Sequence, residues 1–168
     1  ITKPIQINQL YELLEGIGTG KTTPVNKDQE AFKTTTEAFK ILIVEDNPVN
    51  RFLANSILKK IAPNAKLISA VNGKEAIKKF KKNKPDIIFM DIQMPILSGI
   101  EAAIAIRELE NASARTPIIA LTARALKNER EKCLAIGMDD YLTKPIVLDD
   151  LISVLFKHLI LGKSFQDQ

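Results

Sequence analysis

The sequence predicts an α/β fold: five parallel strands in one doubly wound sheet, ordered 2-1-3-4-5, with helices on both faces. Three observations carry this. Apolar runs of about four residues recur between segments with helical spacing, and most end in a polar residue and a turn former. Strands that alternate with helices pair in parallel, because each connection crosses back over the sheet. At 168 residues, 45% hydrophobic and 26% charged, the chain has room for one such domain and an appendage.

In chain order, residues 1–15 form the first element. Ile1-Thr2-Lys3-Pro4-Ile5 returns as Leu142-Thr143-Lys144-Pro145-Ile146, and Leu10, Leu13 and Leu14 align with Leu151, Val154 and Leu155. Such a repeat reads as the closing helix of a second copy of the same domain, cut off upstream. The opening Ile in place of Met fits an excised fragment. Residues 16–38, rich in Gly, Thr and Lys, read as a linker. Gly16-Ile17-Gly18-Thr19-Gly20-Lys21-Thr22 has the look of a phosphate-binding loop, but Glu15 stands where that motif needs its first glycine.

The domain itself spans residues 39–162, with 163–168 as a tail. Ile41–Val44 is the first strand, closed by Glu45-Asp46; Asn47-Pro48 then caps and opens a helix. Val49, Phe52, Leu53, Ile57 and Ile61 give that helix an inward face, and Pro63 ends it. Lys66–Val71, with a shorter apolar run, is a strand nearer an edge; the helix after Asn72 turns Ala76, Ile77 and Phe80 inward. Ile87–Asp91, apolar on both faces, belongs in mid-sheet. Ser98 or Gly99 opens a helix with Ile100, Ala103, Ile104 and Leu109 inward. Pro117–Leu121 is the fourth strand, followed by a helix presenting Leu126, Arg130, Cys133 and Leu134 and stopped at Gly137. Asp140–Leu142 is the last strand, and Leu151, Ile152, Leu155 and Leu159 mark the closing helix, with His158 exposed.

Composition excludes several functions. One cysteine, Cys133, rules out an intrachain disulfide and fits a reducing, cytoplasmic compartment, which a membrane-anchored parent would share. No apolar run approaches the roughly 18 residues of a membrane span. The net charge of +4 does not mark a nucleic-acid partner: the densest cluster, Lys78, Lys79, Lys81, Lys82 and Lys84, ends a helix, where cations complement the dipole.

The strand ends carry the chemistry. With strands one and three adjacent, Glu45, Asp46 and Asp91 converge at the switch point where ligands bind in such sheets. Three carboxylates tolerate one another only around a cation, and an all-oxygen donor set suits Mg²⁺. Thr122 and Lys144 add a hydroxyl and a fixed positive charge beside Asp91, an arrangement suited to a tetrahedral oxyanion attached to it. Asp91 is then a nucleophile that takes a phosphoryl group, with Thr122 and Lys144 neutralising its oxygens.

Val44-Glu45-Asp46-Asn47, Met90-Asp91-Ile92-Gln93-Met94-Pro95, Leu121-Thr122-Ala123 and Lys144-Pro145 together resemble the response-regulator receiver domain of two-component signalling, with its flavodoxin-like sheet. Asp46-Asn47-Pro48-Val49-Asn50 and Gln93-Met94-Pro95 resemble the receivers of hybrid sensor histidine kinases, and the repeated Lys3-Pro4 fits a parent with tandem receivers. The resemblance implies that Asp91 accepts phosphate from a phosphohistidine, on a histidine kinase or a histidine phosphotransfer domain. It implies Mg²⁺ held by Asp46, Asp91 and the Gln93 carbonyl, with Glu45 acting through water. Thr122 and Tyr141 become switch residues, and the fragment catalyses only its own phosphorylation and dephosphorylation. Leu97-Ser98-Gly99 departs from the family, which more often has an acidic residue before the glycine.

Three readings compete. A phosphatase of the haloacid-dehalogenase type needs a second Asp two residues after the nucleophile, where this chain has Gln93. A nucleotide- or flavin-binding module needs glycines or hydroxyls after the first strand, where this chain has Glu45 and Asp46. A docking-only receiver would lack a required side chain, and none is missing. The apolar face of residues 1–15 also offers a surface for self-association.

Overall fold

The computed structural model describes residues 39–111, 114–123 and 127–161. The helix expected at residues 1–15, the linker, Leu126 and the tail from 163 lie outside the described residues.

Five strands, β1 (Lys40–Val44), β2 (Lys66–Ala70), β3 (Ile87–Asp91), β4 (Ile118–Thr122) and β5 (Asp140–Thr143), form one sheet in the order β2-β1-β3-β4-β5. Every pairing is parallel; Val44 lies beside Ala70 and Met90, and Asp91 beside Leu121. The helices are α1 (Pro48–Ile61), α2 (Gly73–Asn83), α3 (Gly99–Leu109), α4 (Lys127–Ala135) and α5 (Leu148–Leu155), the last continued by a π-helical turn over Phe156–Leu161.

Alternation along each strand feeds two cores. Ile41, Ile43, Ile87, Phe89, Ile119 and Leu121 join residues of α1 and α5 on one face; Leu42, Val44, Ile88, Met90, Ile118 and Ala120 join α2, α3 and α4 on the other. A strand apolar at both parities must be covered on both sides, which is why these runs carry no polar break. β2, at the edge, is only half buried except at Ala70.

Two helix faces differ from the expectation. In α1 the buried stripe is Ala54, Leu58 and Ile61, while Val49, Phe52 and Leu53 are exposed. In α3 it is Ala102, Ala103 and Ile106, while Ile104 and Leu109 face outward. The reason is common to both. Alanines let a helix approach the sheet closely, so the face containing them is buried although bulkier residues lie elsewhere. Leu134 of α4 is likewise exposed, and Cys133 takes the buried position.

Helix ends are built from side chains. Asn47 accepts from the backbone N–H of Val49 and Asn50, and Pro48 occupies the first helical position, where its missing N–H costs nothing. Ser98 caps α3 in a reciprocal box with Glu101. This accounts for the departure at Leu97-Ser98-Gly99: a serine supplies the capping oxygen that an acidic residue would. Gly99 is required, since a Cβ there would lie 2.0 Å from the Asp91 carbonyl oxygen. Gly137 ends α4 at φ +98°, a conformation that side chains resist.

Candidate functional site

Apart from Tyr141, which lies within β5, each site residue stands at or just beyond the C-terminal end of a strand. One carboxylate oxygen from each of Glu45, Asp46 and Asp91 lies within 4.8 Å of the others. Glu45 and Asp91 are buried; Asp46 is exposed. Like charges this close repel by about 3–4 kcal/mol per pair at an effective dielectric of ~20.

Lys144 offsets part of that repulsion. Its Nζ donates to Asp91 Oδ2 at 2.7 Å and pairs with Glu45 Oε2 at 2.9 Å. Its backbone N–H donates to the Thr122 carbonyl at 2.7 Å, and the Lys144-Pro145 peptide is cis. The other Asp91 oxygen accepts the Gln93 N–H at 3.0 Å. The charge count remains negative: three carboxylates face one ammonium. Burial pushes the Glu45 carboxyl above its ordinary range; the Lys144 hydrogen bond opposes this and Asp91 adds to it. Burial would lower the Lys144 ammonium, but the hydrogen bonds to Asp91 and Glu45 outweigh it and hold the pKa above that of an ordinary lysine. An excess of hard oxygen donors with room for a small ion between them is the donor chemistry of Mg²⁺.

Thr122, buried at the end of β4, gives its hydroxyl proton to Glu129 Oε2 at 2.7 Å. Tyr141, half-buried on β5, carries the Arg130 guanidinium 5.0 Å from its ring centroid. The fold therefore brings Glu45, Asp46, Asp91 and Lys144 into one cluster and sets Thr122 and Tyr141 on the two neighbouring strands. Among the described residues, His158 is not exposed as expected: its side chain is 14% accessible and its Nε2 lies 3.1 Å from Asp140 Oδ2.

Sequence reasoning missed three contributors. Arg51 Nη1 donates to the carbonyls of Glu45 and Asp46 at 2.8 and 3.2 Å, tying the acidic loop to α1. Asn50 reaches Glu45 Oε1 at 3.4 Å. Glu129 holds Thr122. Asn50 and Arg51 carried a signal, one helical turn beyond a carboxylate pair; Glu129 had none.

Comparison with known proteins agrees with this geometry. Residues 41–156 match the response regulator receiver domain family. The chain is 45% identical over 125 residues to hybrid signal transduction histidine kinase G of Dictyostelium discoideum, covering 74% of this chain and 4% of the relative. Among solved structures, the receiver domain of Saccharomyces cerevisiae Ssk1, crystallised with the histidine phosphotransfer protein Ypd1, is 36% identical with a TM-score of 0.68, covering 74% of this chain and 90% of that one. The receiver of sensor histidine kinase PA1611 from Pseudomonas aeruginosa, crystallised with magnesium in its active-site cleft, is 39% identical with a TM-score of 0.65, covering 72% and 97%. The chain spans between 4% and 15% of the length of the first curated relatives it matches. The fold, the acidic cluster and these matches together establish that the chain belongs to the response regulator receiver domain family, the phosphorelay module of two-component signalling.

Proposed function

We infer that Asp91 is the phosphoacceptor and that its donor is a phosphohistidine on a histidine kinase or phosphotransfer protein. One observation carries this reading: Asp91 is buried, charged on both sides by Lys144 at 2.7 Å and by two further carboxylates within 4.8 Å. An Asp91 oxygen attacks phosphorus in line, the P–N bond breaks as the imidazole departs with its electron pair, and an acyl phosphate remains. Lys144 and the Thr122 hydroxyl neutralise the phosphoryl oxygens. The residues that would hold Mg²⁺ are Asp46, Asp91 and the Gln93 carbonyl, with Glu45 through water, and the ion would add positive charge against those same oxygens. The phosphatase alternative has no support, since Gln93 offers no general acid.

A donor must reach Asp91 across the surface that surrounds it. Phe52, 74% exposed, and Val49 and Leu53 lie on α1, the helix that follows the acidic loop; Leu53 and Ile146 line a small cleft with Glu45 and Lys144. Ile96, 73% exposed, follows β3. An apolar rim around a charged centre suits a partner that presents a phosphohistidine from an apolar surface. The chain fits a hybrid histidine kinase with tandem receivers. In support, the residues that residues 10, 13 and 14 repeat, Leu151, Val154 and Leu155, are all buried in α5.

The test is incubation with acetyl phosphate or a phosphohistidine donor and Mg²⁺. The wild-type chain gains one phosphoryl group by mass; Asp91→Asn gains none. Undiminished labelling of Asp91→Asn would overturn the assignment.

A further inference from the structure

We propose that the first turn of α4 is a latch on the resting site, with Glu129 as a positioning residue that withholds the Thr122 hydroxyl and Arg130 securing Tyr141. The proposal rests on the reading of Asp91 as phosphoacceptor and adds how the resting state is held. A threonine hydroxyl has one proton to donate. Thr122, itself buried, gives it to the partly buried Glu129 carboxylate at 2.7 Å, a charge-assisted bond. While that bond stands, the proton is not available to a phosphoryl oxygen on Asp91. At rest Asp91 has no need of it, since Lys144 and the Gln93 N–H already serve its two oxygens.

The neighbouring residue acts on the neighbouring strand. Arg130 lies over the face of Tyr141, 5.0 Å from the ring centroid, and Tyr141 pairs in register with Ala120, two residues before Thr122. Consecutive residues of one helical turn thus hold both residues that the phosphorylated state would move. Phosphorylation adds an oxyanion that competes with Glu129 for one proton; when it wins, α4 loses its tie to β4, and the Arg130 contact is free to separate with it. The latch biases a two-state equilibrium toward rest by the free energy of these contacts.

The experiment measures binding of beryllofluoride, a phosphoryl mimic, with Mg²⁺ in the chain and its variants. Glu129→Ala binds about tenfold more tightly than wild type, and Glu129→Gln falls between them because its amide oxygen still accepts. In a Thr122→Ala background, Glu129→Ala has no effect, because there is no hydroxyl to withhold. An unchanged affinity in Glu129→Ala overturns the latch. So does a shift that persists without the Thr122 hydroxyl, since that would mean a general loosening of α4. Wild-type chain that binds no beryllofluoride, with mass labelling also absent, would instead overturn the phosphoacceptor reading.

Discussion

Asp140 illustrates how a single side chain ties stability to pH. Its carboxylate accepts from Lys157 Nζ at 2.7 Å and lies 3.1 Å from His158 Nε2, joining β5 to the end of the closing helix. Burial alone would raise its pKa, but the Lys157 and His158 hydrogen bonds win and the value lies below the ordinary 3.8. A depressed folded-state pKa contributes stability that is present above the unfolded value and is lost as pH falls through the folded one. Asp140→Asn therefore loses about 1 kcal/mol in urea unfolding at neutral pH. The difference from wild type shrinks as pH drops below about 3.8, toward and through the depressed value. A difference that stayed constant down to strong acid would show that the carboxylate charge plays no part. Nothing in the sequence announced this contact, because Asp140 and His158 are 18 positions apart and meet only through the fold.

The loop from β3 into α3 joins local backbone demands to the site. Asp91 and Gly99 are eight residues apart, yet the loop returns so closely that Gly99 touches the Asp91 backbone. A methyl group at Gly99 would meet the Asp91 carbonyl oxygen at 2.0 Å, the Asp91 carbonyl carbon at 2.8 Å and Ile92 Cα at 2.9 Å. All three are main-chain atoms, so no side-chain rotation relieves the clash. Gly99→Ala is expected to cost about 2–3 kcal/mol in chemical denaturation. It should also weaken Mg²⁺ binding, since relief by a shift of the Asp91 main chain displaces its carboxylate. Wild-type stability and metal affinity in Gly99→Ala would mean the loop gives without moving the carboxylate. Within the same loop Ile96 takes φ +73°, a region unfavourable to a β-branched residue.

At the scale of the whole molecule, two apolar cores hold the strands in register, and the price is a patch of negative charge where β1 and β3 end. Glu45 and Asp91 cannot withdraw, because Glu45 follows four buried residues of β1 and Asp91 is the last residue of the fully buried β3. A divalent ion that binds only the folded arrangement stabilises it by about 2.7 kcal/mol at 100 times its dissociation constant. Mg²⁺ should thus raise the unfolding temperature progressively with concentration, and Asp46→Asn should remove most of that rise. Equal stabilisation of wild type and Asp46→Asn would place the ion elsewhere. No described helix is long and apolar enough to cross a membrane, so this arrangement is not built on a membrane span among the described residues.

The sequence by itself determined the strands, their parallel order and the four strand-end positions that carry chemistry. Those follow from local pattern: an unbroken apolar run must be covered on both faces, and the first polar residue after it marks the strand's C-terminal end. Which side of α1 and α3 is buried was decided only in the tertiary structure. Val49, Phe52 and Ile104 are apolar but exposed, and small residues such as Ala54 and Ala102 take the contacts with the sheet. The same holds for Glu129 and His158. Their partners are set by distances across the fold, and a side chain's hydrogen-bond partner is a property of packing that spacing along the chain does not encode.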